Sequence, residues 1–238
     1  MRRVCPVFFL IIPLILIFLV SCTKNKNGDN VLFNKYYALL QKNNYVPYDS
    51  LLSFYKQLDS ISVEYSSPQV QFLKTTTEGR LYYRRGDYER STQKYREANQ
   101  KIESIEGVDS LKALNIMSIG LNFMNRAVFD SAFLYFEKAL NVYELTRNTK
   151  MMHVVKANMA QAYYNKRDIE SALQIISETL NDNPHKSVVI NLQHLKANIL
   201  GSEGKIDSAM SIDKEVIGSF ARDEEDYHIS SIYNNLAL

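Results

Sequence analysis

A frame of residue types that restarts about every forty positions constrains this chain more than any other feature. In GRLYYRRGDYERSTQKYREA, beginning at Gly79, a small residue is followed three positions later by Tyr82, and Gly86-Asp87-Tyr88 makes a turn. Glu89 then opens a second helix, with Ser91, Tyr95 and Ala98 on one face. The frame restarts at Gly120 with Phe123, Phe129-Asp130, Ala132, Phe136 and Ala139. It restarts again at Ala160 with Tyr163, Asp168-Ile169-Glu170, Ala172, Ile176 and Pro184, and at Ala197 with Leu200, Gly204, Ile206-Asp207 and Ala209. The spacings are 41, 40 and 37 residues.

Each unit reads as a pair of helices. Tyr88, Ser91, Tyr95, Ala98, Ile102 and Ile105 advance by three or four, which lines them along one side of a helix. Small residues at Gly79 and Ser91, or at Ala160 and Ala172, let paired helices approach closely. The acid ten positions after each small residue (Glu89, Asp130, Glu170, Asp207) falls near a helix start, where it caps or complements the positive helix end. In the fourth unit Asp213 stands where an apolar residue is expected, and rotation of the helix toward Ile212 or Val216 is the expected remedy.

This succession of small, aromatic, Gly-Asp-Tyr, small, aromatic and small residues resembles the tetratricopeptide repeat family over most of residues 67–238, most specifically at Gly79 and Gly120. The spacing exceeds that family's usual period of about 34 and looks like its longer-helix branch, as in kinesin light chains. HEAT repeats share the length but not this turn and small-residue pattern. The resemblance implies an all-α fold, a right-handed superhelical solenoid of antiparallel helix pairs.

The frame also reaches backward. Forty residues before Gly79 is Leu39, and Asp49, Ser50-Leu51, Tyr55 and Leu58 follow in step. Residues 31–65 therefore read as a degenerate first pair with NNYVPYD as its turn, the alternative being two unrelated capping helices. Residues 66–238 then hold four copies plus the first helix of a fifth, since Ala237 lies forty after Ala197. That helix, ending in YNNLAL, leaves Ile229, Ile232, Tyr233 and Leu236 without a covering partner. Solenoids normally end in a polar cap, so the chain is expected to be a truncated or interrupted product of a longer repeat protein. Otherwise the bare face self-associates or takes a partner.

Met1-Arg2-Arg3 is basic, Val4 to Val20 is almost wholly apolar, and Ser21-Cys22 follows, which is the layout of a secretory signal. Seventeen apolar residues interrupted by Pro6 and Pro13 are marginal for a membrane-spanning helix. LVSC, from Leu19 to Cys22, resembles the bacterial lipobox. That resemblance implies a signal peptide of residues 1–21, lipidation of Cys22 with acyl chains such as palmitate, and a polar tether over residues 22–30. Thr23 is not the Asp of the best-known inner-membrane retention rule, and the tether lacks the acidic run of surface-export signals. The expected location is the bacterial cell envelope, on the outer membrane and facing the periplasm.

With Cys5 lost alongside the signal and Cys22 lipidated, no cysteine remains for a disulfide, a metal cluster or a nucleophile. Removal of Arg2 and Arg3 leaves 26 basic residues, from the 28 of the whole chain, against 26 acidic ones. That balance gives no general reason to expect nucleic-acid binding. Eight glycines and five prolines are too few for an all-β chain with many tight turns. There is no Walker A motif, GxSxG, HExxH or GxGxxG, and His153, His185, His194 and His228 lack metal-ligand spacing. RDEED, from Arg222 to Asp226, reads as a solvated helix start. Arg80, Tyr82, Tyr83, Arg84 and Arg85 mix base with aromatic as nucleic-acid surfaces can, but mostly form an exposed helix face. No catalytic activity, cofactor or metal is expected.

In the family resembled, the first helix of each pair lines a concave groove that binds extended peptides. The groove-facing places carry Thr76, Arg80, Tyr83 and Arg84, then Met117, Leu121, Met124 and Asn125. Ala157, Gln161, Tyr164 and Asn165 follow, then His194 and Asn198. Tyrosine and methionine give adaptable apolar contact, while Asn and Gln can pair with a peptide backbone. The lysine/asparagine clamp of chaperone-binding members is absent, because Thr76 and Arg80 occupy those places. The expected function is a lipid-anchored scaffold that binds a protein or peptide ligand. The alternative is the extracytoplasmic sensory part of a longer membrane-spanning regulator, either a transcriptional regulator or a histidine kinase. Replacing Cys22 with Ser is expected to release the protein from the membrane fraction and to remove the lipid mass. A variant that stays membrane-bound with unchanged mass refutes the anchor.

Overall fold

The computed structural model describes residues 47–64, 67–105 and 107–220, and every regular element within them is an α-helix. In chain order these are α1 (Tyr48–Glu64), α2 (Pro68–Arg84), α3 (Tyr88–Lys101), α4 (Asp109–Asn125), α5 (Phe129–Leu145), α6 (Thr149–Asn165), α7 (Ile169–Asn181), α8 (Lys186–Ser202) and α9 (Ile206–Phe220). Cys22, its tether, the first half of the 31–65 pair and the helix expected around Ile229 to Leu236 lie outside the described residues.

Several helices begin where side chains satisfy open backbone donors, although α4 and α5 start at Val108 and Val128 without a side-chain cap. Ser67 accepts from the Val70 N–H at 3.2 Å, just before Pro68, whose missing N–H costs nothing at a helix start. Asp87 and Asp168 cap α3 and α7 in the same way, both at 3.1 Å, and Asn148 caps α6 at 3.3 Å. The expected acids play a different part. Glu89, Asp130, Glu170 and Asp207 stand inside the first turn, past the capping position, where they complement the helix dipole.

The four first helices end identically. Gly86, Ala127, Arg167 and Gly204 occupy the same place in the frame and adopt φ of 77°, 57°, 70° and 80°. The next residue then donates to the carbonyl five back: Asp87 to Tyr82 at 3.0 Å, and Val128 to Phe123, Asp168 to Tyr163 and Lys205 to Leu200 at 2.9 Å each. These bonds satisfy carbonyls that the helix end leaves open. A left-handed backbone costs a residue with a Cβ about 1–2 kcal/mol, so packing around the turns has to hold Ala127 and Arg167 in place.

Within a pair, the small residue of the first helix faces the aromatic ring of the second. A Cβ built on Gly79 would lie 2.9 Å from a ring carbon of Tyr95, and one on Gly120 would lie 2.7 Å from Phe136. Ala160 takes this place against Ile176, and both are buried. Between pairs, each second helix closes over the next first helix. Ala98 and Ile102 share a core with Leu111, Ala139 and Tyr143 with Val155, and Ile176 with Val188 and Leu192. Packing runs between sequence neighbours, and also joins α4 to α6 and α6 to α8. These first helices therefore stand side by side along one face.

α1 fits the series as a second helix. It opens with Tyr48-Asp49 in the order of Tyr88-Glu89, buries Leu51 and Leu58, and packs on α2.

Replacing Gly120 with Ala sets helix propensity against space. Propensity favours alanine by about 0.5–1 kcal/mol, whereas overpacking a buried ring costs about 1–3 kcal/mol. The variant is expected to unfold at lower urea concentration than the parent. Gly201→Ala, whose added Cβ meets only the Ala209 Cβ at 3.9 Å, is expected to unfold at equal or higher concentration. The reverse order refutes the ring-on-glycine packing.

Candidate functional site

The face made by α2, α4, α6 and α8 is built from side chains that follow the small residue of each first helix. Arg80, Tyr83, Leu121, Gln161, Tyr164 and Asn198 are half-buried there, as is Ala157, while Arg84, Asn125 and Asn165 are exposed. Neighbouring helices tie some of them together. The Asn125 amide donates to the Tyr83 hydroxyl at 3.0 Å, which bridges α2 and α4, and the Gln161 amide donates to Asn165 at 2.9 Å. Burial pushes the Tyr95 hydroxyl above its usual pKa, and the Arg80 guanidinium partly opposes that shift.

Three residues expected on the groove lie inside instead. Thr76 and Met117 are each 1% exposed, and Met124 is also buried. The Thr76 hydroxyl accepts from the Asn115 amide at 3.0 Å, and both methionines belong to the core shared by α4, α5 and α6. Adjacent first helices cover these places, which leaves none of the three for a ligand.

His194 was expected beside them and has a different role. Its Nδ1 lies 3.0 Å from Asp213 Oδ1, and Asp213 is only 4% exposed. Val216 is buried on the same helix, so α9 does not rotate Asp213 outward. In the second copy the matching places hold Met117 and Phe136, both in one apolar core. The fourth copy has exchanged that apolar contact for a histidine–aspartate pair between α8 and α9.

A second polar layer escaped the sequence reading. The Asn122 amide donates to Ser91 Oγ at 3.0 Å and to Thr92 Oγ1 at 2.9 Å, with Asn122 fully buried. The Asn115 amide donates to Asn99 Oδ1 at 2.9 Å as well as to Thr76. Comparing copies could have found this layer, since Leu81, Ala162 and Ile199 stand where Asn122 does.

At the turn between α2 and α3, aromatic and basic groups collect. Arg85 Nε donates to the Tyr48 hydroxyl at 2.7 Å, the Tyr83 and Tyr88 rings meet edge-on at 5.7 Å, and Arg90 lies 5.8 Å from the Tyr82 ring centre. Arg126 reaches back from the next copy to Glu89 at 2.9 Å.

No model of a protein family and no characterised protein sequence matches the chain. Among solved structures, the chain is similar to the crystal structure of BtubC (BKLC) from P. vanneervenii. The TM-score is 0.58 at 15% identity, over 87% of this chain and 91% of that one. At such identity the likeness speaks for the fold alone, and it agrees with an all-helical, helical-repeat architecture.

The pair His194–Asp213 makes a testable layer. Removing one partner strands the other in the interior, so His194→Ala or Asp213→Ala is expected to lose about 2–4 kcal/mol in urea unfolding. The double variant His194→Met, Asp213→Phe restores the arrangement of the second copy and is expected to recover most of that loss. Losses that simply add across a double-mutant cycle refute the pairing.

Proposed function

We propose that this chain is a lipid-anchored scaffold of the tetratricopeptide type, a solenoid that binds an extended segment of another protein along its first helices. The observation that carries the reading is the composition of that face. Tyr83, Leu121 and Tyr164 offer aromatic and aliphatic contact, while the amides of Asn125, Gln161 and Asn165 offer donors and acceptors spaced over two adjacent helices. An extended backbone needs that alternation, because its own amides must be satisfied while its side chains find apolar contact. The helical-repeat likeness supports the architecture. The envelope location rests on LVSC and on the apolar stretch before it.

The test is capture by cross-linking from a cell-envelope extract, followed by affinity measurement with the captured protein. Tyr83→Ala, Gln161→Ala and Tyr164→Ala are each expected to weaken binding by about tenfold, with helicity unchanged by circular dichroism. Unchanged affinity in all three places binding on another surface.

A further inference from the structure

We propose that Arg80 and Arg84 hold the acidic run Asp223-Glu224-Glu225-Asp226 of a second copy of this chain, joining copies head to tail. This deepens the proposed function by naming an occupant for one end of the same face, and it rests on that face being a binding surface.

The two arginines are one helical turn apart on α2, an arrangement in which like charges repel. Neighbouring cations of this region have partners. Arg90 pairs with Asp87, Arg126 with Glu89, Lys94 with Glu78 and Glu97, and Arg85 donates to Tyr48. Among the described residues, neither Arg80 nor Arg84 makes an ion pair, and no surface-reaching position of the face from Arg80 to Asn198 named above holds an acid. Tyr83, which accepts from Asn125, lies on the same helix turn. Two guanidiniums one turn apart suit a run of carboxylates, since each planar fork can take one carboxylate with two hydrogen bonds.

Asp223 to Asp226 is the only place in the chain where three or more acids are consecutive. It follows directly on α9, whereas the arginines are on α2, with six helices between. Among the described residues, helices pack on neighbours or next-but-one neighbours, which puts α9 and α2 at opposite ends of the series. A second copy can supply it. The contact joins two different surfaces, and such contacts propagate into open chains of molecules unless the rotation closes a ring.

Sedimentation of the full chain in detergent tests the idea. Association is expected to rise with concentration and to weaken by about tenfold or more between about 50 and 500 mM salt. Arg80→Ala with Arg84→Ala, and separately neutralisation of residues 223–226 to Asn and Gln, are each expected to weaken it by about tenfold. Mixing an Arg80→Glu, Arg84→Glu chain with one carrying lysines at 223–226 is expected to restore association between the two. A parent that stays monomeric at all concentrations overturns the proposal, as does unchanged association in both neutralised variants. Binding of a glutamate-rich peptide to Arg80 and Arg84 without self-association also overturns it, in favour of a foreign acidic partner. None of these outcomes touches the capture result at Gln161 and Tyr164 on α6, so the two readings fail separately.

Discussion

The approach of an aromatic ring onto a glycine, with no Cβ between them, is the contact on which the first two full helix pairs depend. Tyr95 on Gly79 and Phe136 on Gly120 bring two helices closer than any other residue would permit. Burying such a ring contributes about 1.5–3 kcal/mol, more than the roughly 0.5–1 kcal/mol that glycine costs inside a helix. The tight turns do not depend on that closeness, since Arg167 and Gly204 make the same turn in pairs without the contact. Gly86 and Ala127 take left-handed backbone, and the helix ends are sealed by bonds to the carbonyls of Tyr82 and Phe123.

Later copies reach the same geometry by other means. Ala160 and Ile176 together occupy the volume of glycine plus ring, so the third pair needs no exception to ordinary packing. The fourth pair cannot use that solution, because Asp213 brings a carboxylate into the layer. His194 makes the substitution tolerable by meeting it at 3.0 Å. A buried polar pair adds little net stability over an apolar contact, but it penalises any slip that separates the partners. Asn122 with Ser91 and Thr92 does the same between the first and second copies. Polar layers thus sit toward both ends of the described helices, with an apolar core between.

These packing choices also settle which side chains are available to a ligand. Where first helices lie against each other, Met117 and Met124 are consumed by the core, and Thr76 by its bond to Asn115. The surface that remains begins one residue after each small residue, at Arg80, Leu121, Gln161 and Asn198. The proposed recognition of an extended segment uses only that remainder.

Periodicity made the helices, the turns and the ring-on-glycine contacts legible from the sequence, because each depends on residues close together in the chain. Tyr88, Ser91, Tyr95 and Ala98 could be assigned to one buried stripe by spacing alone, and Gly86 to a turn by its type. The groove was legible only in part. Whether a position three before the small residue faces solvent depends on how near the next first helix stands, some forty residues away. The fate of Asp213 depended likewise on a histidine nineteen residues earlier, which no local pattern marks as its partner. The sequence by itself determined helices, their pairing and their order, through local periodicity and steric fit. Only the tertiary structure decided which polar side chains turn inward, because that is settled by desolvation cost against partners contributed by other helices.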